Sequence, residues 1–269
     1  MRNLAFQLAY DGTHFVGSQS QKTGRTIQDE VERAWQRFTG ETRRWTLAGR
    51  TDAGVHANGQ VANVLTETAH ALTTVQRALN ALLPPDVVVR EVWDVETEFH
   101  ARFSATRRDY CYTILHERWG VPSLRSTTWH IATRLDLAAM QQAAALLVGE
   151  HDFAAFGVVD AGPTTRRCES AGWRTTERDG HPLVVFEVAA NGFLRHMVRA
   201  LVGVLVEVGR GNVSISGFGD ILASCERNRA TQTAPPQGLN LMRITYPEPF
   251  GIFVASDGQP PLLKANHDD

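Results

Sequence analysis

Apolar residues recur along the first forty positions at two different spacings. Near the start they stand at every second position, which is the period of a β-strand with one buried face. Those residues are Leu4, Phe6, Leu8 and Tyr10. From Thr26 the spacing becomes three to four residues, which predicts a helix that the Thr26 hydroxyl can cap and that Gly40 ends. Its apolar face consists of Ile27, Val31, Ala34, Trp35 and Phe38.

Residues 41–95 continue in the same way. Strands are predicted at residues 44–48, 60–65 and 87–95. A helix that starts near Thr74 must end before Pro84, because proline has no amide hydrogen to donate. The resulting order of strand, helix, strand, strand, helix, strand predicts a split βαβ unit, in which helices cover one face of an antiparallel sheet.

Residues 105–247 show a looser version of this order. Strands are predicted at 109–117, 168–176, 183–189 and 239–245, helices at 135–148, 194–208 and 215–226, and a hairpin turn at Asp179 and Gly180. We therefore predict an α+β protein made of two halves with antiparallel sheets, residues 1–104 and 105–247, joined near residues 102–108. The tail, residues 248–269, contains several prolines and glycines and is expected to be poorly ordered or loosely docked.

The charge of the chain is nearly balanced, with 27 basic and 29 acidic residues and a net charge of -2. Overall charge therefore does not indicate a nucleic-acid binder. The cations are instead clustered, and arginine predominates, which favours bidentate contacts to phosphate. These clusters are Arg43 with Arg44, Arg107 with Arg108, Arg166 with Arg167, and Arg195, His196 and Arg199. They would form a binding groove only if the fold brought them together.

Three widely separated cysteines, Cys111, Cys168 and Cys225, include no C-x-x-C pair. We expect neither a disulfide framework nor a zinc site, which fits a reducing cytoplasm as the place of action. The first residues show no apolar run of signal-peptide length, and no segment approaches the ~20 apolar residues of a membrane span. Because the nicotinamide and phosphate-loop glycine motifs are also missing from suitable contexts, we expect no nucleotide cofactor.

The strongest candidate for chemistry is the segment LAGRTDAGVHANGQV, residues 47–61. Three glycines surround one carboxylate, Asp52, with Arg50 two residues before it and His56 four after it. A loop carboxylate beside a basic residue is a candidate nucleophile or general base. It is equally compatible with an ordinary turn in which aspartate caps its own backbone. For His56 a general-base role is conceivable, but we expect a structural hydrogen bond.

The nine residues GRTDAGVHA, 49–57, resemble the signature of the tRNA pseudouridine synthase A family. Further blocks follow in the order of that family: LLPPDVVV at 82–89, FHAR at 99–102, the spacing of Ala105, Arg108, Tyr110 and Tyr112, HDFAAF at 151–156, NGFLRHMVRALVG at 191–203, and GLNLMRITYP at 238–247. The resemblance covers about residues 3 to 247. One departure is Ser18, which stands where the family usually has the tryptophan of a Gly-Trp-Gln, and this puts in doubt any RNA contact made by that tryptophan.

The resemblance implies the pseudouridine synthase fold, with two RRM-like or ferredoxin-like halves and a catalytic cleft between them. It implies isomerisation of uridine to pseudouridine at positions 38, 39 and/or 40 of the tRNA anticodon stem-loop, by a homodimer that needs no cofactor and no metal. Asp52 would be the nucleophile and Arg199 its ion-pair partner. Arg50 would enter the RNA helix where the target base leaves, and Tyr110 would stack on the uracil.

Each of these roles has an alternative that the residues alone leave open. Tyr110 and Tyr112 share a strand face and could simply pack in a sheet. Arg199 could form a structural salt bridge with Glu207 or Asp220. The whole chain could be a non-catalytic RNA-binding module with RRM-like sheets, or a hydrolase that uses Asp52 and His56 with a bound metal.

Overall fold

The computed structural model describes residues 1–158, 162–250 and 252. These residues form ten strands in one sheet and five α-helices. The strands are β1 (Arg2–Tyr10), β2 (Thr46–Leu47), β3 (His56–Thr66), β4 (Val87–Val95), β5 (Arg107–Leu115), β6 (Trp129–His130), β7 (Gly149–Asp152), β8 (Thr165–Arg178), β9 (His181–Ala190) and β10 (Leu239–Thr245). The helices are α1 (Ile27–Thr39), α2 (Leu72–Leu82), α3 (Leu137–Ala145), α4 (Met197–Gly209) and α5 (Ile215–Ser224).

The main path of the sheet runs β4-β1-β3-β10-β5-β9-β8-β7, with β2 beside β3 and β6 beside β5. Among the described strands the neighbours are antiparallel except for two pairs, β10 with β3 and β6 with β5. The predicted α+β class with a largely antiparallel sheet is confirmed.

Helix boundaries follow local capping. The Thr26 hydroxyl accepts the amide of Asp29 at the start of α1, and Gly40 ends this helix in the left-handed conformation, with φ 77°. Helix α4 begins at Met197, three residues later than predicted, because His196 adopts a left-handed conformation with φ 66°. Arg195 and His196 therefore precede α4 and do not occupy its first turn as expected.

Two large hydrophobic cores lie along the sheet. One packs α1 and α2 against β1, β3 and β4, and the other packs α3, α4 and α5 against β5, β8 and β9. Strand β10, predicted to complete the second half, contributes Leu239 to the second core and Leu241 and Ile244 to the first. It thus lies between β3 and β5 and makes the sheet continuous, which brings loops from distant parts of the chain together.

The predicted tail lies mostly outside the described residues. Its first part is described, since residues 248–250 form a short 3-10 helix and Ile252 is buried in the first core. The ring of Phe250 packs edge-on against Phe99, with centroids 5.3 Å apart. None of the described helices is long and apolar enough to cross a membrane.

Candidate active site

The loop that carries Asp52 is fixed by the segment around Ser18. Ser18 is fully buried, and its amide donates to the Thr51 carbonyl at 3.1 Å. Its hydroxyl accepts the Thr51 amide at 2.8 Å, so one serine binds both backbone groups of the residue before Asp52. Gly17 forms a bridge with Asp52 itself. The residue that departs from the family pattern therefore supports the loop.

The other side of the loop is held by Gln60, which is also fully buried. Its side-chain amide donates to the Gly49 carbonyl at 2.8 Å, and its oxygen accepts the Gly49 amide at 3.3 Å. The Tyr10 hydroxyl lies 2.8 Å from the Thr51 hydroxyl. Burial raises the pKa of Tyr10 to about 12, so this phenol is neutral at physiological pH. Strands β1 and β3 thus anchor the backbone on the N-terminal side of Asp52.

A guanidinium from the second core meets the Asp52 carboxylate. Arg199 Nη1 lies 3.1 Å from Asp52 Oδ2, and the two side chains are 17% and 21% exposed. Arg199 Nε also donates to the Ala234 carbonyl at 2.8 Å, which fixes the orientation of the planar group. Of the alternative partners, Glu207 pairs with Arg210 at 2.7 Å, and no ion pair within the described part of the chain joins Arg199 to Asp220.

His196 is a second basic side chain at Asp52, which the sequence indicated only as a member of the cluster with Arg195 and Arg199. Its Nε2 lies 3.5 Å from Asp52 Oδ1, and the side chain is 37% exposed. This contact is an ion pair only when the imidazole is protonated. His196 and Arg199 stand three residues apart, a spacing that puts side chains on one face of a helix. Because His196 lies just before α4 in a left-handed conformation, that spacing alone did not predict the contact.

Tyr110 and Tyr112 lie on the same strand, β5, but have different surroundings. Tyr110 is half-buried, lines the cleft that contains Asp52, and contacts Phe193 edge-on at 5.0 Å. Burial is the main cause that raises the pKa of Tyr110. The nearby Tyr10 and Asp52 raise this pKa further and Arg108 lowers it, so the hydroxyl is neutral at physiological pH. Tyr112 is fully buried and donates to the Pro235 carbonyl at 2.8 Å, which is a packing role.

Arginines converge on this cleft, which encloses about 980 Å³. Its described lining contains one carboxylate, Asp52, and seven arginines: Arg44, Arg50, Arg102, Arg108, Arg166, Arg195 and Arg199. One member of each predicted arginine pair faces the cleft. For Arg107 and Arg108 the reason is that successive strand residues point to opposite faces. Arg107 instead binds Asp109 and Glu169, each at 2.7 Å.

Two of these arginines differ in how they are bound. Arg108 donates to the carbonyls of Ala105, Arg102 and Asn191 at 2.7–3.0 Å, and burial lowers its pKa. It therefore holds the wall of the cleft together. Arg50 is exposed, and no hydrogen bond or ion pair joins it to another residue that the structure describes. Its guanidinium is available to a ligand.

His56 makes structural hydrogen bonds, as expected. Its Nε2 lies 2.8 Å from the Ser126 carbonyl, and its Nδ1 accepts the Gly12 amide at 3.1 Å. The Asp11 carboxylate lies 3.2 Å from the same Nδ1. No group of three or more histidine, cysteine, aspartate or glutamate side chains within the described ranges is arranged to hold a metal ion.

Comparison with known proteins identifies close similarity over most of the chain. Residues 7–104 and 143–247 match the family model described as tRNA pseudouridine synthase. A tRNA pseudouridine synthase A from Roseiflexus castenholzii is 52% identical over 249 residues, 92% of either chain. The Chloroflexus aurantiacus protein of that name is 49% identical over 251 residues, covering 92% of this chain and 90% of the relative. The one from Thermoanaerobacter pseudethanolicus is 42% identical over 246 residues, covering 91% of this chain and 100% of the relative.

Proposed function

The chain belongs to the tRNA pseudouridine synthase family, and on that premise we propose that it isomerises uridine to pseudouridine at positions 38, 39 and/or 40 of the tRNA anticodon stem-loop. Asp52 is the nucleophile in this proposal. The observation that carries it is the ion pair between Asp52 and Arg199, 3.1 Å apart, in a cleft whose described lining holds one carboxylate and seven arginines.

The chemistry requires one carboxylate and no redox step. The bond between the ribose C1′ and the uracil N1 breaks, the detached base turns, and a new bond joins C1′ to C5. The C5 proton leaves to solvent and N1 gains a proton, so atoms and charge balance. Asp52 could attack the uracil at C6, attack the sugar at C1′, or remove a sugar proton to give a glycal. Each route needs an ionised carboxylate in a partly dry cleft, and Arg199 offsets the cost of burying that charge.

Reaching the base requires its extrusion from the RNA stem, at a cost of a few kcal/mol. In our proposal Arg50, which has no described partner, enters the space that the base leaves. Tyr110 then contacts the flat face of the flipped uracil, which needs no particular sequence around the target. Asp52 and Arg50 come from residues 1–104 and Tyr110 and Arg199 from residues 105–247, so two halves would close on the base.

The arginine lining supports recognition by phosphate contacts and shape, which suits a substrate set of differing sequences. One compact chain can hardly span both the elbow and the anticodon arm of a tRNA, so we extend the proposal to a homodimer. Sedimentation of the free protein at micromolar concentration tests this, and a monomer there would contradict it. A tRNA substrate also implies action in the cytoplasm.

Tritium release from defined substrates tests the proposed activity. Transcripts labelled at C5 of a single uridine, placed at position 38, 39 or 40, should release tritium with at least one of the three. A transcript whose labelled uridine lies in the acceptor stem serves as the control and should release none. Absence of release from all three substrates, or equal release from the control, would contradict the proposal.

The same assay separates the alternatives. A non-catalytic RNA-binding module would bind the transcripts and release no tritium. A metal-dependent hydrolase would leave the C5 hydrogen in place, so tritium release that persists when a chelator is added dismisses both alternatives.

A further inference from the structure

Phe103 is a large apolar side chain that stays in solvent at the catalytic cleft. The residue is 76% exposed and belongs to the lining of the cleft that contains Asp52. Among the described residues, Trp119 has a comparable exposure of 71%, but it lies outside this lining. An exposed aromatic residue in a concave, charged site needs an explanation, because leaving such a ring in water forgoes about 1.5–3 kcal/mol of burial.

One face of the Phe103 ring is backed by His100. The two ring centroids are 4.4 Å apart with an interplanar angle of 32°, which is a tilted stack. His100 Nδ1 also accepts the amides of Arg102 and Phe103, both at 3.2 Å. The imidazole therefore fixes the backbone and the ring of Phe103 together, while most of the side chain stays exposed.

The loop beneath this stack is anchored in the first core. Ala101 is fully buried, its amide donates to Asn63 at 3.0 Å, and its carbonyl accepts the Tyr246 hydroxyl at 2.6 Å. The Ser104 hydroxyl accepts the His100 amide at 3.1 Å. The loop therefore has little conformational freedom to lose when a ligand binds, which favours binding at the Phe103 ring.

The charge around the ring selects the ligand. The Arg102 guanidinium lies 5.5 Å from the centre of the Phe103 ring, and the described lining holds six further arginines against one carboxylate. Aromatic rings set in a positively charged groove are the usual means of binding unpaired nucleotides, since every base has a flat face that can stack. An apolar protein segment would have to bury the exposed guanidinium groups of Arg50 and Arg102 and offers them no acceptor, which is costly.

We propose that Phe103, backed by His100, is a second stacking platform, which holds a base adjacent to the target uridine. Extruding the target leaves its neighbour in the strand unstacked on one side, and an aromatic ring at the cleft restores part of that contact. This inference rests on the proposed function, because it assumes an RNA whose target base enters the cleft beside Asp52.

Fluorescence and binding with an anticodon-arm RNA test the platform. The RNA carries 2-aminopurine at the nucleotide on one side of the target uridine in one preparation and on the other side in a second. Wild-type protein should quench one of the two probes. Phe103→Ala should abolish that quenching and weaken binding by about 5- to 150-fold, the loss expected for one base stacked on an aromatic ring. Phe103→Trp should retain both the quenching of the probe and the affinity for the RNA.

Trp119→Ala is the matched control, because it removes an equally exposed aromatic ring that also has an arginine over it, Arg118 at 5.0 Å. It should bind and quench as wild type does. Thermal unfolding of all three variants should match wild type, since neither ring is buried.

If Phe103→Ala quenched the probe and bound the RNA as wild type does, the proposed stacking role of Phe103 would be wrong. So would a change in the sedimentation of Phe103→Ala with unchanged RNA affinity, which would assign the ring to a protein contact. Tritium release by the wild-type protein separates this failure from that of the proposed function. If the wild-type protein releases no tritium from any substrate, the proposed function is wrong. If it releases tritium, only the proposed stacking role of Phe103 is wrong.

Discussion

Replacing Arg199 with alanine removes one guanidinium from two acceptors, the Asp52 carboxylate at 3.1 Å and the Ala234 carbonyl at 2.8 Å. Removing one partner of a fully buried ion pair costs about 3–5 kcal/mol of folding free energy. Asp52 is 21% exposed, so water can solvate part of the abandoned charge, and we expect about 2 kcal/mol. The effect on catalysis should be larger than this loss of stability suggests.

The Arg199 guanidinium is a fixed positive charge at the reacting carboxylate, so its removal should lower the rate of catalysis. Removing one such preorganised group typically lowers kcat on the order of 100- to 1,000-fold. Arg199→Lys keeps the charge, but a single ammonium lacks the planar fork that reaches both acceptors. We therefore expect Arg199→Lys to keep most of the stability and to fall between wild type and Arg199→Ala in rate.

Single-turnover tritium release gives the rates, and denaturant unfolding gives the stabilities. Arg210→Ala is the control, because it breaks another ion pair at the end of the same helix, with Glu207 at 2.7 Å. The Arg210 side chain is 32% exposed, against 17% for Arg199, and it lies outside the cleft lining, so its loss should cost at most about 1 kcal/mol and leave the rate unchanged. If Arg199→Ala converted tRNA at the wild-type rate, the role assigned to this ion pair would be wrong.

Four further substitutions, at three residues, test the remaining parts of the site with the same two assays. Tyr110→Phe should keep most of the activity, because the stacking face remains, whereas Tyr110→Ala should lose it; equal rates for Ala and wild type would remove the stacking role. Ser18→Ala leaves the buried Thr51 amide without its acceptor, so stability should fall by about 1–2 kcal/mol and the rate with it. Arg50→Ala should unfold like wild type yet convert tRNA more slowly, and an unchanged rate would refute its entry into the RNA.

Elements with strong apolar periodicity could be predicted from the sequence, as α1 and β1 show. The short strands β6 and β7 were missed, because two and four residues are too few to establish a period. Strand β3 begins at His56, four residues before the predicted start, and its early part includes Gly59. A Cβ on Gly59 would lie 2.3 Å from the Met242 carbonyl, so the strand depends on a close approach of β10 that no local pattern indicates.

The site was predicted through family resemblance more than through residue patterns. Asp52 and Arg199 are 147 positions apart, and nothing in their local spacing indicates that they meet. His196, which contacts Asp52, has a left-handed backbone that no local pattern in the sequence indicates. Ser18 was recognised as a departure from the family pattern, but its hydrogen bonds to Thr51 could not be inferred from the sequence, since they join segments 33 positions apart.

Asp52→Asn tests the central claim most directly, because it removes the carboxylate charge with almost no change of shape. Tritium release in a single turnover is measured beside tRNA affinity and thermal unfolding of the same preparation. If Asp52 is the nucleophile, the variant folds, binds tRNA as wild type does and releases no tritium. Release at a substantial fraction of the wild-type rate would contradict the account.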